Sequence, residues 1–229
     1  MTGRSPLIVA IDGPSGVGKS TAARRLAWRL GVPFLDTGAM YRAIGLKVLE
    51  SGIDPHDQGK VVAIAGDADV RLGRSEDGGF EVLLDGEPVE ARIRTPEVGE
   101  ATSAISAYPE VRQRMVRLQR EAAGQFGAVL EGRDIGTRVF PDTPYKFFLD
   151  ARSDVRFKRR FDELSAAGRP VTLEQVVDEI SRRDQRDSTR TDSPLTREGS
   201  YTFIDSSELS IDEVVERMAG EIEGRSALS

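Results

Sequence analysis

The sequence has no cysteine and no asparagine among its 229 residues, and it has one histidine, His56. Without cysteine the chain can form no disulfide, thiolate nucleophile, iron–sulfur cluster or cysteine zinc site. A single histidine excludes every mechanism that needs two imidazoles, and we expect His56, which follows Asp54 and Pro55 in a loop-like stretch, to be a solvated loop residue. The lack of cysteine fits a cytoplasmic protein, which is the localisation that we expect.

Long apolar runs are missing as well. Runs such as residues 7–11 fall far short of the roughly 20 residues that cross a bilayer, so we expect neither a membrane-spanning segment nor a signal peptide. Charged residues make up 31% of the chain and hydrophobic residues 38%, which is typical of a soluble globular protein. The net charge of −6 disfavours a general nucleic-acid-binding protein. Arginine nevertheless supplies 27 of the 32 basic residues, and its guanidinium group matches the oxygens of phosphate.

Short apolar segments alternate with amphipathic segments, and this pattern predicts an α/β domain with a parallel sheet. The expected strands are residues 7–11, 33–35, 128–130, 145–149 and 202–204. The expected helices are residues 19–30, 39–51, 96–107, 109–126, 154–166, 173–186 and 211–224. Three of the strands are nearly continuous apolar runs, as expected for strands that are buried on both faces.

The segment from residue 69 to residue 94 departs from this alternation. Its apolar residues recur with period two, which predicts strands rather than helices. Asp85 and Gly86 lie between two of these runs and give a strong hairpin signal, and residues 75–79 are a second expected turn. We therefore predict a small antiparallel sheet that is inserted into the α/β domain.

The clearest motif follows the first expected strand and opens the first expected helix. It matches the P-loop pattern G-x-x-x-x-G-K-[ST] at every fixed position, and its residues are Gly13, Pro14, Ser15, Gly16, Val17, Gly18, Lys19 and Ser20. The glycines allow backbone N–H groups to surround an anion, and the helix N-terminus adds positive potential. We expect Lys19 to reach the β and γ phosphates of a nucleoside triphosphate and Ser20 to bind Mg²⁺.

A P-loop predicts nucleoside triphosphate binding but not the reaction. A GTPase typically recognises guanine through an Asn-Lys-x-Asp motif, which a chain without asparagine cannot contain. A translocating ATPase is disfavoured because the chain is short and shows no second nucleotide-binding module. A kinase for a small molecule or a nucleotide suits the length best.

Three clusters that combine arginine with carboxylates are candidates for binding a second ligand. Residues 36–42 follow the second expected strand, residues 131–134 follow the third, and residues 182–187 together with Arg190 lie near the end of a helix. Ligands of open α/β sheets bind beyond the carboxyl ends of the strands. The clusters therefore suit a ligand that has both a phosphate and a polar base, although each cluster alone could be a solvated loop or a salt bridge at a helix end.

The chain resembles the bacterial cytidylate kinases over nearly its whole length. The resemblance rests on Ile-Asp-Gly-Pro-Ser-Gly from Ile11, Asp-Thr-Gly-Ala-Met-Tyr-Arg from Asp36, Ile-Arg-Thr-Pro-Glu-Val from Ile93, Gly-Arg-Asp-Ile-Gly-Thr from Gly132, residues 139–142, and Arg183, Asp187 and Arg190. It implies transfer of the γ-phosphoryl group of ATP to CMP or dCMP with Mg²⁺. We then expect no nucleic acid, membrane or protein partner, and a monomer.

The resemblance also implies the organisation of residues 1–229 as one domain. It implies a P-loop NTPase core with a five-stranded parallel sheet flanked by helices, formed by residues 1–36, 127–152 and 187–229. The monophosphate-binding region would comprise residues 37–126 and contain the antiparallel insert, residues 69–94. Residues 156–172 would form a short lid.

Carried over by motif, the resemblance implies a role for each candidate site residue. The cytosine readers would be Thr37, Arg112 and Asp134, the sugar contacts Ser103, Arg183 and Asp187, and the grip on the acceptor phosphate Arg42, Arg133 and Arg190, with Tyr41 as a further CMP-binding residue. The residues expected to act in catalysis are Lys19, Arg133, Asp134 and Arg190. The ATP site would add Thr21, Arg156 and Arg160 to the P-loop.

Several points stay open at this stage. Arg159 and Arg169 are further lid candidates, but a solvated helix face explains the arginines of this segment equally well. Glu131 could orient metal-bound water. The acceptor could instead be UMP or another small phosphate acceptor, and the chain could also be a non-catalytic regulator that senses nucleotides with its P-loop.

Overall fold

The computed structural model describes residues 6–74 and 80–226, in which the strands build two sheets. The strands are β1 (Ile8–Asp12), β2 (Phe34–Asp36), β3 (Val70–Arg74), β4 (Phe80–Leu84), β5 (Glu87–Pro88), β6 (Ala128–Gly132), β7 (Tyr145–Asp150) and β8 (Thr202–Asp205). Five of them form a parallel sheet in the order β2-β6-β1-β7-β8, while β3, β4 and β5 form a small antiparallel sheet. The predicted fold class is therefore confirmed.

Helices cover both faces of the parallel sheet. They are α1 (Lys19–Leu30), α2 (Thr37–Glu50), α3 (Gln58–Asp67), α4 (Pro96–Ile105), α5 (Pro109–Phe126), α6 (Ser153–Ala166), α7 (Leu173–Thr189) and α8 (Ile211–Ser226), and a π-helical turn spans Ile135–Val139. Each of the seven expected helices is present, and caps that can be recognised in the sequence mark the start of some of them. Thr95 caps α4 just before Pro96, and Thr172 with Gln175 forms a capping box at α7.

Helix α3 lies where the sequence pattern predicts no helix. It is ten residues long, and its buried residues are Val61 and Ala65. Two glycines, Gly59 and Gly66, lower its helix propensity further. A helix with so narrow an apolar face gives too weak a periodic signal to be recognised from sequence.

The inserted sheet is smaller than the sequence pattern predicts. Asp85 and Gly86 both have positive φ angles, 53° and 89°, which is the backbone of the predicted hairpin turn between β4 and β5. Strand β5 ends at Pro88, and the N–H groups of Arg92 and Ile93 bond to the carbonyl oxygen of Val89. The last apolar residues of the period-two pattern, Val89, Ala91 and Ile93, therefore lie in a turn instead of the predicted strand. The predicted turn at residues 75–79 lies outside the described residues.

The two faces of the parallel sheet carry separate hydrophobic cores. Because successive strand residues point to opposite faces, Val9 and Ile11 of β1 pack with α1 and α8, for example against Met218. Ala10 packs on the other face with α2, α4 and α5, for example against Met40. This arrangement fixes the five strands, and their carboxyl ends meet at one edge.

Helices α6 and α7 share a smaller cluster. Its buried members are Leu164 of α6 and Val176 and Ile180 of α7. The two helices therefore pack largely against each other, and their cluster is separate from the two large cores. Within the described ranges, no helix has the length and apolar character that crossing a membrane requires.

Candidate active site

The phosphate cradle, defined here as residues 13–20, joins the carboxyl end of β1 to the first turn of α1. Gly13 is required because a Cβ atom at this position would lie 2.0 Å from the carbonyl oxygen of Leu149 on β7. Gly18 caps α1 with a φ of 88°, a conformation that glycine adopts readily. The predicted P-loop thus has the strand–loop–helix setting in which backbone N–H groups and a helix N-terminus favour an anion.

Lys19 is the first residue of α1, and its side chain lies over the cradle. Its ammonium group donates a hydrogen bond to the carbonyl oxygen of Pro14 at 2.6 Å, and the residue is only 5% exposed. Burial and the positive charge of Arg133 lower the pKa of Lys19 to about 7. A bound phosphate would favour the charged form. Thr21, which follows on α1, is exposed.

Ser20 and Glu131 bring two oxygen donors together beside the cradle. Burial and the carboxylate of Asp36 raise the pKa of Glu131, while Lys19 and a hydrogen bond from Ser20 oppose the rise. Mg²⁺ commonly takes one or two protein oxygens and completes its shell with water and phosphate oxygens. Ser20 and Glu131 are a pair of oxygen donors of this kind, and the described part of the chain contains no group of three or more histidine, cysteine, aspartate or glutamate side chains that could hold a metal ion.

Arg156 and Arg160 of α6, both predicted to bind ATP, have different surroundings. Arg156 is buried, and its Nη1 donates a hydrogen bond to the carbonyl oxygen of Ser15 in the cradle at 3.0 Å. Arg160 pairs with Glu163 on its own helix at 3.0 Å and is partly exposed. Arg156 is therefore already at the cradle, whereas the side chain of Arg160 would have to leave its pair to reach it.

Two further lid candidates, Arg159 and Arg169, contact other parts of the chain. Arg159 donates to the carbonyl oxygen of Ser206, after β8, at 2.7 Å, which anchors α6 to the core. Arg169 follows α6 and donates to the carbonyl oxygen of Arg94, the last residue of the predicted insert. The loop after α6 thus touches the monophosphate-binding region that the resemblance implies.

Asp36 organises the start of α2 at the same sheet edge. Its carboxylate caps the helix by accepting from the N–H of Ala39 at 2.9 Å, and it pairs with Arg42 at 2.9 Å and Arg94 at 3.2 Å. Burial opposes ionisation, but these two charges and the capping bond hold the pKa of Asp36 below its usual range. Thr37, the next residue, donates its hydroxyl to the backbone carbonyl of Glu131 on β6 at 2.6 Å and so ties α2 to the cluster of residues 131–134.

Arg112, Asp134 and Arg190 form a buried charge cluster. Asp134 accepts a hydrogen bond from Arg112 and lies 3.7 Å from Nη2 of Arg190, and the ring of Tyr41 lies 5.9 Å from the guanidinium carbon of Arg112. Nη2 of Arg190 is buried and has no hydrogen-bond partner among the described residues. An unpartnered buried donor is costly, so this group is suited to donating a hydrogen bond to a ligand oxygen.

Arg133 connects the acceptor clusters with the cradle. Its Nε donates to Asp187 on α7 at 2.7 Å, and its Nη2 donates to the hydroxyl of Ser15 at 3.0 Å. Arg183 lies one helical turn before Asp187, and burial together with the charge of Arg133 lowers the pKa of Arg183 to about 10. Because Arg133 disfavours the charged form of Arg183, an anion bound beside Arg183 would favour that charged form.

A cavity of about 340 Å³ opens between the α4–α5 junction and the end of α7. Ser103, Asp187 and Arg190 line it, so two of the three predicted sugar contacts meet one predicted phosphate contact there. The hydroxyl of Ser103 accepts a hydrogen bond from Arg186 at 2.9 Å. His56 also borders the cavity and is exposed, as its loop setting predicts.

Asp12 and Tyr201 belong to the site's supporting structure, and no motif in the sequence indicates a role for either. Asp12 ends β1, is fully buried, and accepts from the N–H groups of Ile135 and Gly136 at 2.9 and 2.8 Å and from the hydroxyl of Tyr201 at 2.7 Å. These bonds hold the π-helical turn that begins directly after Asp134. A carboxylate at the end of an apolar strand was a signal for Asp12, whereas no local signal marks Tyr201.

Comparison with known proteins gives one family. Residues 9–224 match the family model for cytidylate kinase. A cytidylate kinase from Caldicellulosiruptor bescii is 48% identical over 210 residues, which cover 92% of this chain and 92% of that protein. A cytidylate kinase from Corynebacterium glutamicum is 50% identical over 214 residues, 93% of this chain and 92% of that protein.

Among solved structures, the similarity concerns the fold alone. The crystal structure of an uncharacterized protein from Eubacterium ventriosum aligns with a TM-score of 0.52 at 15% sequence identity. The alignment covers 95% of this chain and 98% of that chain.

Proposed function

Because this chain belongs to the cytidylate kinase family, we propose that it transfers the γ-phosphoryl group of ATP to CMP or dCMP. An oxygen of the acceptor phosphate attacks the γ phosphorus, the bond from that phosphorus to the bridging oxygen breaks, and the products are ADP and CDP or dCDP. The acceptor phosphate is already an anionic nucleophile, so the reaction needs no general base. Catalysis then consists of positioning and charge neutralisation.

The observation that carries this proposal is the position of Arg133 between two anion sites. One end of its guanidinium contacts Ser15 in the cradle, and the other contacts Asp187 beside the cavity. A group at this junction can touch the donor and acceptor phosphates at once. In a loose transition state, charge spreads over the oxygens of the transferred group, and a fixed cation there stabilises it.

On the donor side, the backbone of the cradle would hold the ATP phosphates. Lys19 would contact the β and γ phosphates, and Arg156 already reaches the cradle from α6. Ser20 and Glu131 would hold Mg²⁺ directly or through water, and the ion, when bound with ATP, would neutralise phosphate charge. Thr21 and Arg160 remain further candidates for the ATP site.

On the acceptor side, the cavity and the buried charge cluster would bind different parts of the nucleoside monophosphate. We assign the phosphate grip to Arg42, Arg133 and Arg190, the sugar contacts to Ser103, Arg183 and Asp187, and the base contacts to Thr37, Tyr41, Arg112 and Asp134. We propose that the protein acts as a monomer. Residues 37–126 would then be the monophosphate-binding region, and residues 156–172 a lid that excludes water.

Selectivity for cytosine follows from the charge of Asp134. An ionised carboxylate accepts a hydrogen bond from the exocyclic amine of cytosine, and Arg112 can donate to the acceptors N3 and O2. Uracil presents a carbonyl oxygen where cytosine has the amine. The carboxylate and that oxygen would both be acceptors, so neither would be satisfied.

A coupled assay of ADP release tests the proposal directly. ATP and Mg²⁺ are supplied with CMP, dCMP, UMP, AMP or GMP in turn, and we expect turnover with CMP and dCMP far above the others. Equal or higher turnover with UMP would favour another small phosphate acceptor. Tight ATP binding without turnover on any acceptor would favour a nucleotide-sensing regulator.

A further inference from the structure

Helix α7 carries two carboxylates, Asp184 and Asp187, which are three residues apart and therefore lie on the same face of the helix. Asp187 lines the cavity and pairs with Arg133. Asp184 reaches in the other direction, to the phosphate cradle. Its Oδ1 accepts from the backbone N–H of Ser15 at 3.1 Å, and its Oδ2 accepts from Nη1 of Arg156.

Ser15 is held on all three of its polar groups by ionised side chains. Asp184 accepts from its N–H, Arg156 donates to its carbonyl oxygen at 3.0 Å, and Arg133 donates to its hydroxyl at 3.0 Å. These side chains come from α7, from α6 and from the segment after β6. The position of this part of the cradle is therefore set by distant elements as well as by the loop itself.

The ion pair between Asp184 and Arg156 is sensitive to small movements of α7 relative to α6. Its side chain is 20% exposed and that of Arg156 only 10%, so the pair is poorly screened by water. Nε of Arg156 is buried without a hydrogen-bond partner among the described residues. If Asp184 moved away or lost its charge, the guanidinium of Arg156 would lose its ionic partner while it stayed buried.

We propose that Asp184 is a positioning residue that couples occupation of the acceptor site to the order of the phosphate cradle. The inference rests on the proposed function, because it takes the cavity beside Asp187 as the acceptor site. A ligand that contacts Asp187 and Arg190 fixes α7, and Asp184 on the same face then fixes Ser15 and Arg156. By linkage, the acceptor strengthens donor binding, and the donor strengthens acceptor binding by the same factor.

The test measures that factor by calorimetry. A non-hydrolysable ATP analogue with Mg²⁺ is titrated into the wild-type protein with and without saturating CMP, and CMP is titrated alone. We expect CMP to raise the affinity for the analogue about 5- to 150-fold, the usual range of coupling between sites. In Asp184→Asn, which keeps an oxygen acceptor but loses the charge, the factor falls to within about twofold of unity, as expected when the linkage between the sites is lost.

Matched variants separate coupling from general damage. Asp178→Asn changes an exposed carboxylate on the same helix and keeps the wild-type factor. Asp184→Ala removes both acceptor atoms and lowers the factor at least as far as Asp184→Asn, which gives a second reading should one variant fold poorly. CMP binding alone should stay within about threefold in all three variants, because none of them alters an assigned acceptor contact.

Three results would overturn the proposal: no coupling in the wild type, an unchanged factor in the Asp184 variants, or an equal loss of CMP affinity and coupling. None of these affects the proposed function if CMP is still phosphorylated. If CMP is not phosphorylated and another acceptor is, the proposed function fails, and the same titrations with that acceptor decide the role of Asp184.

Discussion

The phosphate cradle and the acceptor site lie at the same edge of the sheet, but they are built in opposite ways. The cradle is one run of eight residues, 13–20, and most of its binding groups are backbone N–H groups. The acceptor site draws on α2, α4, α5, α7 and the segment after β6, and its binding groups are side chains that pair with one another.

This difference determines how each region responds to substitution. Most side chains of the cradle contribute little to phosphate binding, so function there depends on Lys19 and on glycines such as Gly13, where a Cβ would collide with β7. In the acceptor site, removal of one member leaves its partners buried and unpaired, so the effects of substitutions are not additive. The following predictions test this contrast, starting with the largest effect.

Substitution of Lys19 by alanine should give the largest loss of activity. The lysine supplies the only side-chain cation of the cradle itself, and its loss should lower kcat on the order of 10³-fold, which corresponds to several kcal/mol of transition-state stabilisation. The free energy of unfolding should not fall, because the buried ammonium group is itself costly. The coupled assay and urea unfolding measure the two quantities.

Arg25→Ala is the control for this prediction. Arg25 lies on α1, the helix of Lys19, with its side chain 52% exposed, where it pairs with Asp212 of α8. This substitution should leave kcat unchanged. Near-normal turnover of a folded Lys19→Ala protein would contradict the role given to the cradle.

Substitution of Asp134 by alanine should abolish base selectivity. Removal of the carboxylate also leaves Arg112 and Arg190 without their shared partner, so kcat/KM for CMP falls while UMP gains little. The ratio of kcat/KM for CMP over UMP should fall by about 10- to 100-fold, toward unity. Steady-state kinetics with both substrates give the ratio.

A double-mutant cycle sharpens this result. In the acceptor site, Arg112→Ala combined with Asp134→Ala should lower kcat/KM for CMP much less than the sum of the single changes predicts, because the second change removes a charge that the first left unpaired.

If Asp134 only shapes the loop, Asp134→Ala lowers kcat/KM equally for CMP and UMP and their ratio stays unchanged. That result would remove Asp134 from the base contacts.

Substitution of Tyr201 by phenylalanine should affect stability more than chemistry. The change removes one hydrogen bond to the buried carboxylate of Asp12 and keeps the ring, so the free energy of unfolding should fall by about 1–3 kcal/mol. Two backbone N–H groups still hold Asp12, so kcat should change less than in the variants above. Urea unfolding that shows no loss would contradict a structural role for this bond.

The smallest expected effect is the uptake of a proton by Lys19 when the nucleotide binds. The pKa of Lys19 is lowered to about 7 in the free protein, and phosphate charge raises it, so the bound form holds more protons between these two values. Analogue binding at about pH 8.5 should therefore take up most of one proton, and affinity should decrease as the pH rises above about 7.

Calorimetry in two buffers with different ionisation enthalpies measures this uptake. Lys19→Met should remove most of this uptake, because the cradle contains no other titratable side chain. The same lowered pKa means that the unfolded chain binds the proton more tightly than the folded one. The contribution of Lys19 to the free energy of unfolding therefore rises as the pH increases from about 7, the pKa in the folded protein, to about 10.5, the ordinary pKa of lysine.

Much of the fold could be predicted because its signals are local. Apolar runs, caps and the Asp85–Gly86 turn identify five strands, seven helices and the hairpin without knowledge of any neighbour. Helix α3 and the turn after Pro88 could not be found in this way. Their conformations depend on packing and backbone bonds that leave only a weak pattern in the sequence.

The sequence by itself determined the cradle, since a P-loop is a contiguous run whose glycines, lysine and serine act through local backbone geometry. The sequence also identified, through the family motifs, the candidate residues of the acceptor site. Only the tertiary structure decided how these residues meet: Arg133 between Ser15 and Asp187, Asp184 at the cradle, and Tyr201 on Asp12. These contacts join residues between 54 and 189 positions apart, and no local preference encodes which of many similar arginines and carboxylates the folded sheet brings within hydrogen-bonding distance.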